Sequence, residues 1–293
     1  MDFARIPPDW PGRANMRRIS ARPHQWCVLE QGAGPVVLLL HGAGGASHSF
    51  RALLPLLAPH YRLIAPDLPG QGFTRAGARQ RLGLDAMAED LARLCAEQGW
   101  PVAAIIGHSA GAAVALRMAE IMAAPPRAVV GINAALGAFE GVAGFLFPLL
   151  AKVMALNPLV PRLFARLWGN EARVQSLLAS TGSTLDAAGV AHYLALVRDP
   201  DHVEGTLGMM AQWKLDGLMA RLPQLALPVL LIAGARDRAV PPQVSRDAVA
   251  RMPGARYAEL PGLGHLMHEE AADQTAALIL PFLAAHTRAD QRP

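Results

Sequence analysis

The chain has 293 residues, 52% of them hydrophobic, which is long for one domain and short for two; one core carrying an insertion is expected. Its 27 Lys and Arg against 23 Asp and Glu leave a net charge of +4, and no dense basic block is interleaved with aromatics, which excludes a nucleic-acid partner. Cys27 and Cys95 are too few for a disulfide framework and lack zinc-site spacing, so both are expected as buried free thiols.

Residues 1–24 carry several arginines with Pro7, Pro8 and Pro11 but no apolar h-region of a secretory signal, which makes a cytoplasmic location the default expectation. They are expected to form a loosely structured amino-terminal arm. Apolar runs then recur at Trp26–Leu29, Val36–Leu40, Tyr61–Ala65, Val102–Ile106, Ala128–Ile132, Val229–Ala233 and Arg256–Leu260. Most are continuous rather than alternating, as strands of a parallel sheet buried on both faces must be. Helical patterns lie between them, so the fold class is α/β, a mostly parallel doubly wound sheet. One such helix starts near Asp85 as N-cap, repeats Met87, Leu91, Leu94 and Cys95 on its inner face, and pairs Glu89 with Arg93 outside.

The strand pattern stops between residues 134 and 222. The division expected is therefore a core of residues 25–133 and 223–293 with a helical cap, 134–222, inserted into it. The most apolar part of the insertion, Val142 to Trp168, includes Phe145, Phe147, Leu150, Leu156, Phe164 and Trp168, the candidate lining of an apolar substrate pocket. Lys152, Arg162, Arg166, Pro158 and Pro161 interrupt it, and no run reaches the roughly 20 apolar residues of a spanning helix. A lid or a reversible peripheral membrane contact fits better.

Gly107-His108-Ser109-Ala110-Gly111 lies between a strand and an Ala-rich helix. In that setting Gly-x-Ser-x-Gly describes a nucleophile elbow, with glycines where strand and helix backbones approach. A serine hydroxyl is a weak nucleophile and needs a histidine base oriented by an acid. In triad order, Asp237 follows the strand Val229–Ala233 and His265 sits in the Gly-rich loop after Arg256–Leu260, both where open α/β sheets bind ligands. His268 is the rival base, at a helix start. The strand Ala128–Ile132 ends at Asn133 with no carboxylate beside it. The turn His41-Gly42-Ala43-Gly44-Gly45 would supply the oxyanion hole through the backbone amides of Ala43 and Ala110; it lacks the Lys-Ser/Thr of a P-loop. His41 reads as structural, and His48, His108, His192 and His202 show no metal-ligand pattern. No metal and no cofactor are implied.

With the His41-Gly42 turn, Asp67-Leu68-Pro69-Gly70-Gln71-Gly72, the elbow, Asp237 and His265, the sequence resembles the α/β-hydrolase superfamily over nearly its whole length. More narrowly it resembles the magnesium-chelatase accessory proteins of bacteriochlorophyll biosynthesis, the BchO group. The residues behind that likeness are Pro8-Asp9-Trp10-Pro11, Gly107-His108-Ser109-Ala110-Gly111-Ala112-Ala113, Gly131-Ile132-Asn133-Ala134-Ala135-Leu136, Leu156-Asn157-Pro158-Leu159-Val160-Pro161 and Gly262-Leu263-Gly264-His265-Leu266. The resemblance implies a role near magnesium insertion into protoporphyrin, in photosynthesis, with magnesium-chelatase subunits as partners. Gln71 stands where the superfamily often has His, and little effect is expected because that position is outside the triad. Two readings stay open. One is a serine hydrolase acting on an ester or related acyl group of a hydrophobic substrate; the other is a non-catalytic accessory protein that binds porphyrin or chelatase on an inherited hydrolase fold. Haloalkane dehalogenation is disfavoured because its elbow nucleophile would be Asp, not Ser109.

Overall fold

The computed structural model describes residues 1–137 and 159–287. Eight strands form one sheet in the order β1-β2-β4-β3-β5-β6-β7-β8. They are β1 (Met16–Ala21), β2 (His24–Gln31), β3 (Val36–Leu40), β4 (Arg62–Pro66), β5 (Val102–His108), β6 (Ala128–Ile132), β7 (Val229–Gly234) and β8 (Ala255–Leu260). The pairs β1–β2 and β2–β4 are antiparallel, and all the others are parallel.

The continuous apolar runs follow from two-sided burial. On β3, Val36, Leu38 and Leu40 face α2 (Leu84–Glu97) and α3 (Ala110–Ile121), in a layer with Met87, Leu91, Leu94 and Val114. Val37 and Leu39 face the opposite layer, made with Leu54 and Leu57 of α1 (Leu54–Leu57) and with Ile279 and Leu283 of a carboxy-terminal helix. Helix α2 carries the expected inner face, but Gly83 is its N-cap and Asp85 lies in the first turn, its carboxylate accepting from Arg117 Nε at 2.6 Å. Cys27 and Cys95 are buried free thiols, and burial is the first cause that pushes Cys95 up to about 12.

Between β6 and β7 enter α4 (Leu159–Trp168), α5 (Glu171–Ser180), α6 (Ala187–Val197), α7 (Pro200–Gln212) and α8 (Asp216–Arg221). After β7 come α9 (Pro242–Val249), α10 (Met267–Glu270) and α11 (Ala272–Thr287), the carboxy-terminal helix just mentioned. Among the described residues no helix is long and apolar enough to cross a membrane.

The arm is not loose. Residues 16–21 form edge strand β1, with Ile19 and Ala21 buried and Arg17 and Arg18 exposed, and before it Ile6 and Trp10 are buried. Only two buried positions carry the alternation of β1, too short a signal against its arginines. Trp10 packs edge-on to Phe73 with ring centroids 5.1 Å apart and joins a cluster with Cys27, Val174, Val190, Tyr193 and Leu266. The arm thus binds the core to the inserted helices. Replacing Trp10 by Ala should lower stability by about 3 kcal/mol through the cavity left behind. An unchanged urea midpoint would show that the arm unfolds independently.

Candidate active site

Strand β5 runs into Ser109, whose φ of 52° and ψ of −118° lie outside the ordinary regions for an L-residue. Such a conformation costs on the order of 1–3 kcal/mol and persists only when its surroundings impose it. Here Ser109 N donates to Ile132 O at 2.9 Å, while Ser109 O accepts from Ala112 N and Ala135 N, both at 3.1 Å. Both elbow glycines are required: a Cβ on Gly107 would lie 2.4 Å from Gly111 O, and one on Gly111 would lie 2.2 Å from Leu40 O.

Asp237 stands beyond the carboxyl end of β7 and is buried. Its Oδ1 accepts from the amides of Ala239 and Val240 at 2.8 Å each, and its Oδ2 accepts from His265 Nδ1 at 2.7 Å. That bond places the imidazole proton on Nδ1 and leaves the Nε2 lone pair as the basic site. The His265 loop lies against the elbow. His108, next to Ser109, donates from Nε2 to His265 O at 2.9 Å, and the two rings are 4.8 Å apart.

Asn133 completes this placement. It is buried with φ 47°; its Nδ2 donates to Gly264 O at 3.0 Å and His265 O at 2.7 Å, and its Oδ1 accepts from Gly234 N at 2.7 Å. The strand end that carries no carboxylate thus carries an amide fastening the ends of β6 and β7 to the His265 loop. Nothing local in the sequence signals this role, because its three partners lie more than a hundred residues away. Glu269 is the other residue sequence reasoning missed. Fully buried, it ion-pairs with Arg51 and accepts from Tyr193 Oη of α6 at 2.8 Å, and burial pushes its carboxyl up to about 7.

The turn after β3 reaches the elbow because Gly42 has no side chain: a Cβ there would fall 2.9 Å from Ser109 Cβ. Neither the Ala43 nor the Ala110 amide donates to an acceptor among the described residues. His268 is fully buried, and neither of its ring nitrogens has a partner among the described residues; its ring centroid lies 4.3 Å from that of His108, the planes tilted by 43°. Burial pushes it down to about 3.

Of the candidate pocket residues, Phe145, Phe147, Leu150 and Leu156 lie outside the described residues. Phe164 is half-buried and Trp168 exposed, their rings stacked 5.7 Å apart on α4. A groove of about 440 Å³ between the arm and α7, lined by Arg18, Arg75, Arg79 and Glu204 among others, touches none of Ser109, Asp237 and His265.

Residues 35–272 match the family model described as alpha/beta hydrolase fold. The chain is 49% identical over 285 residues to the magnesium-chelatase 30 kDa subunit of Rhodobacter capsulatus, covering 97% of this chain and 99% of that protein. It is 31% identical to the pimeloyl-[acyl-carrier protein] methyl ester esterase of Xanthomonas oryzae pv. oryzae, covering 87% and 97%. Among solved structures, an alpha/beta hydrolase fold protein from Burkholderia ambifaria superimposes with a TM-score of 0.76 at 21% identity, over 90% of this chain and 97% of that one.

Two outcomes follow from the geometry. Asn133→Ala removes the side-chain partner of Gly264 O and Gly234 N, leaves His265 O with His108 alone, and puts Ala in a left-handed conformation, so stability should fall by about 2–4 kcal/mol; a urea midpoint within error of wild type would refute the clamp. The second concerns pH. Burial holds His202 and His268 down to about 3 and His48 and His108 well below the ordinary histidine range. These four stay neutral in the folded protein, whereas the unfolded chain takes up their protons below about pH 6.5, so stability must fall as pH drops through that window. Glu269, raised to about 7, acts oppositely but is one group against four. Folding should therefore be weaker at pH 5.5 than at 7.5, by roughly 1 kcal/mol for each histidine before the Glu269 offset; a midpoint that rises on acidification contradicts this.

Proposed function

The chain belongs to the α/β-hydrolase fold family, and from that premise we propose that it is a serine hydrolase acting on an ester or related acyl group of a hydrophobic substrate, with an accessory role at the magnesium-chelation stage of bacteriochlorophyll biosynthesis. The observation that carries the catalytic part is the 2.7 Å Asp237–His265 hydrogen bond beside a serine held at φ 52°. The 49% identity to a magnesium-chelatase subunit supports the accessory part and makes chelatase subunits the candidate partners.

In this reading His265 Nε2 takes the Ser109 proton as Oγ attacks the acyl carbonyl. The carbonyl oxygen becomes an oxyanion facing the amides of Ala43 and Ala110, donors that need no reorganisation. Asp237 stabilises the imidazolium through Nδ1, with its own position fixed by the Ala239 and Val240 amides. His265 then returns the proton to the leaving alcohol, and water activated by the same nitrogen cleaves the acyl-serine. The stacked Phe164 and Trp168 on the inserted helices support an apolar acyl or porphyrin-sized substrate.

The kinship with a chelatase subunit also favours a second reading, in which the protein holds porphyrin or chelatase without turnover. A fluorophosphonate probe should label wild type and not Ser109→Ala, and His265→Ala should lower ester turnover by about 10⁴-fold or more, with little further loss in the double variant. Folded wild type that resists the probe beside a reactive control esterase would overturn the catalytic reading. Ser109→Ala restoring bacteriochlorophyll synthesis in a host lacking the native gene would instead make the hydrolytic step dispensable for the accessory role.

A further inference from the structure

A trans peptide unit is planar, with its C=O and N–H pointing opposite ways, so whatever grips the carbonyl also aims the amide. The turn after β3 contains Gly42, Gly44 and Gly45, and Gly44 sits at φ 77°, so this backbone has little stiffness of its own. Yet its three successive peptide units are each gripped by a buried side chain. Gly42 O, in the unit whose N–H belongs to Ala43, accepts from His41 Nδ1 at 2.8 Å. In the next unit Gly44 N donates to Gln71 Oε1 at 2.7 Å. In the third, Gly44 O accepts from His202 Nε2 at 3.2 Å.

The His202 bond has a defined sense. Gly72 N donates to His202 Nδ1 at 3.0 Å, so the proton must reside on Nε2, and the ring bridges Gly44 to the loop that holds Gln71. His202 is fixed in turn by its helix. A Cβ on Gly205 of α7 would lie 1.9 Å from Gly70 O, and a Cβ on Gly44 would meet Thr206 at 3.6 Å. Helix α7 therefore rests on both loops at once. His41 belongs to the turn's own strand end, but Gln71 and His202 come from outside it.

We infer that Gln71 and His202 are positioning residues for the oxyanion donor at Ala43, and that His202 makes the competence of this turn conditional on the seating of α7. The inference rests on the hydrolase reading above and deepens it. Neither side chain contacts the reacting atoms; Gln71 fixes the peptide that follows Ala43 and His202 the one after it, so that the Ala43 N–H is already aimed when negative charge develops on the carbonyl oxygen. Loss of either should weaken transition-state binding and spare ground-state binding.

The test uses the full chain, p-nitrophenyl hexanoate and a fluorophosphonate probe. His202→Ala and Gln71→Leu should each lower kcat about tenfold, a part of the roughly 10²-fold lost when an oxyanion donor is removed outright. KM should stay within about twofold, the labelling rate should fall in parallel, and His202→Gln, which keeps an N–H donor, should recover part of the loss. A merely structural role would move the urea midpoint and KM without this selective loss of kcat. Should His202→Ala fail to fold, His202→Gln and Gln71→Leu decide: kcat within twofold of wild type in both overturns the inference. Wild type that neither labels nor turns over ester fails the hydrolase reading itself, a result distinct from reactive wild type with unaffected variants.

Discussion

The left-handed backbone of Ser109 is the constraint around which the rest of the site is arranged. No isolated strand-turn-helix would keep a serine at φ 52°, because the conformation is disfavoured for any residue with a Cβ. It is kept by contacts too close for side chains, Gly107 on Gly111 and Gly111 on Leu40, and by hydrogen bonds from the neighbouring strand end. Those contacts exist only where β3, β5 and β6 lie parallel in register with α3 packed across them. The sheet thus does more than support the elbow; its two-sided burial supplies the free energy that offsets the strain.

The rest of the site is placed by hydrogen bonds between strand ends. Asn133, from β6, ties Gly234 at the end of β7 to the loop carrying His265, and His108, from β5, grips the same His265 carbonyl. Around them His41 and His202 act as neutral donors and acceptors whose tautomers are set by backbone groups, His41 by Leu68 N and Gly42 O and His202 by Gly72 N and Gly44 O. His268 packs tilted against His108 with no such partner among the described residues, which separates it from His265 in chemical environment although only three positions part them in sequence.

What the sequence disclosed and what it hid follow from the range of the interactions. Continuous runs such as Val36–Leu40 are legible because burial on both faces removes alternation. Ser109, Asp237 and His265 are legible because each lies in a short motif beside a strand end, in a recognisable order. Edge strand β1 escapes local reading because its alternation is brief and two of its exposed positions are arginines. The start of α2 shifted to Gly83 because the Asp85 carboxylate engages Arg117 instead of capping. Gln71 was expected to matter little for lying outside the triad, yet it is fully buried and holds Gly44, a contact across 27 positions that no local pattern encodes.

The point of entry of α4 to α8 has a consequence for how such a protein diversifies. Ile132 and Ile232 are paired neighbours in adjacent strands although roughly a hundred residues separate them. Closing a loop of that size costs only logarithmically more than closing a shorter one, about 0.6 kcal/mol for each doubling. Lengthening, shortening or exchanging the inserted helices therefore taxes the sheet very little, whereas a single methyl on Gly107 or Gly111 collides with backbone. Selection can rewrite what rests on the elbow many times over while the elbow itself stays fixed.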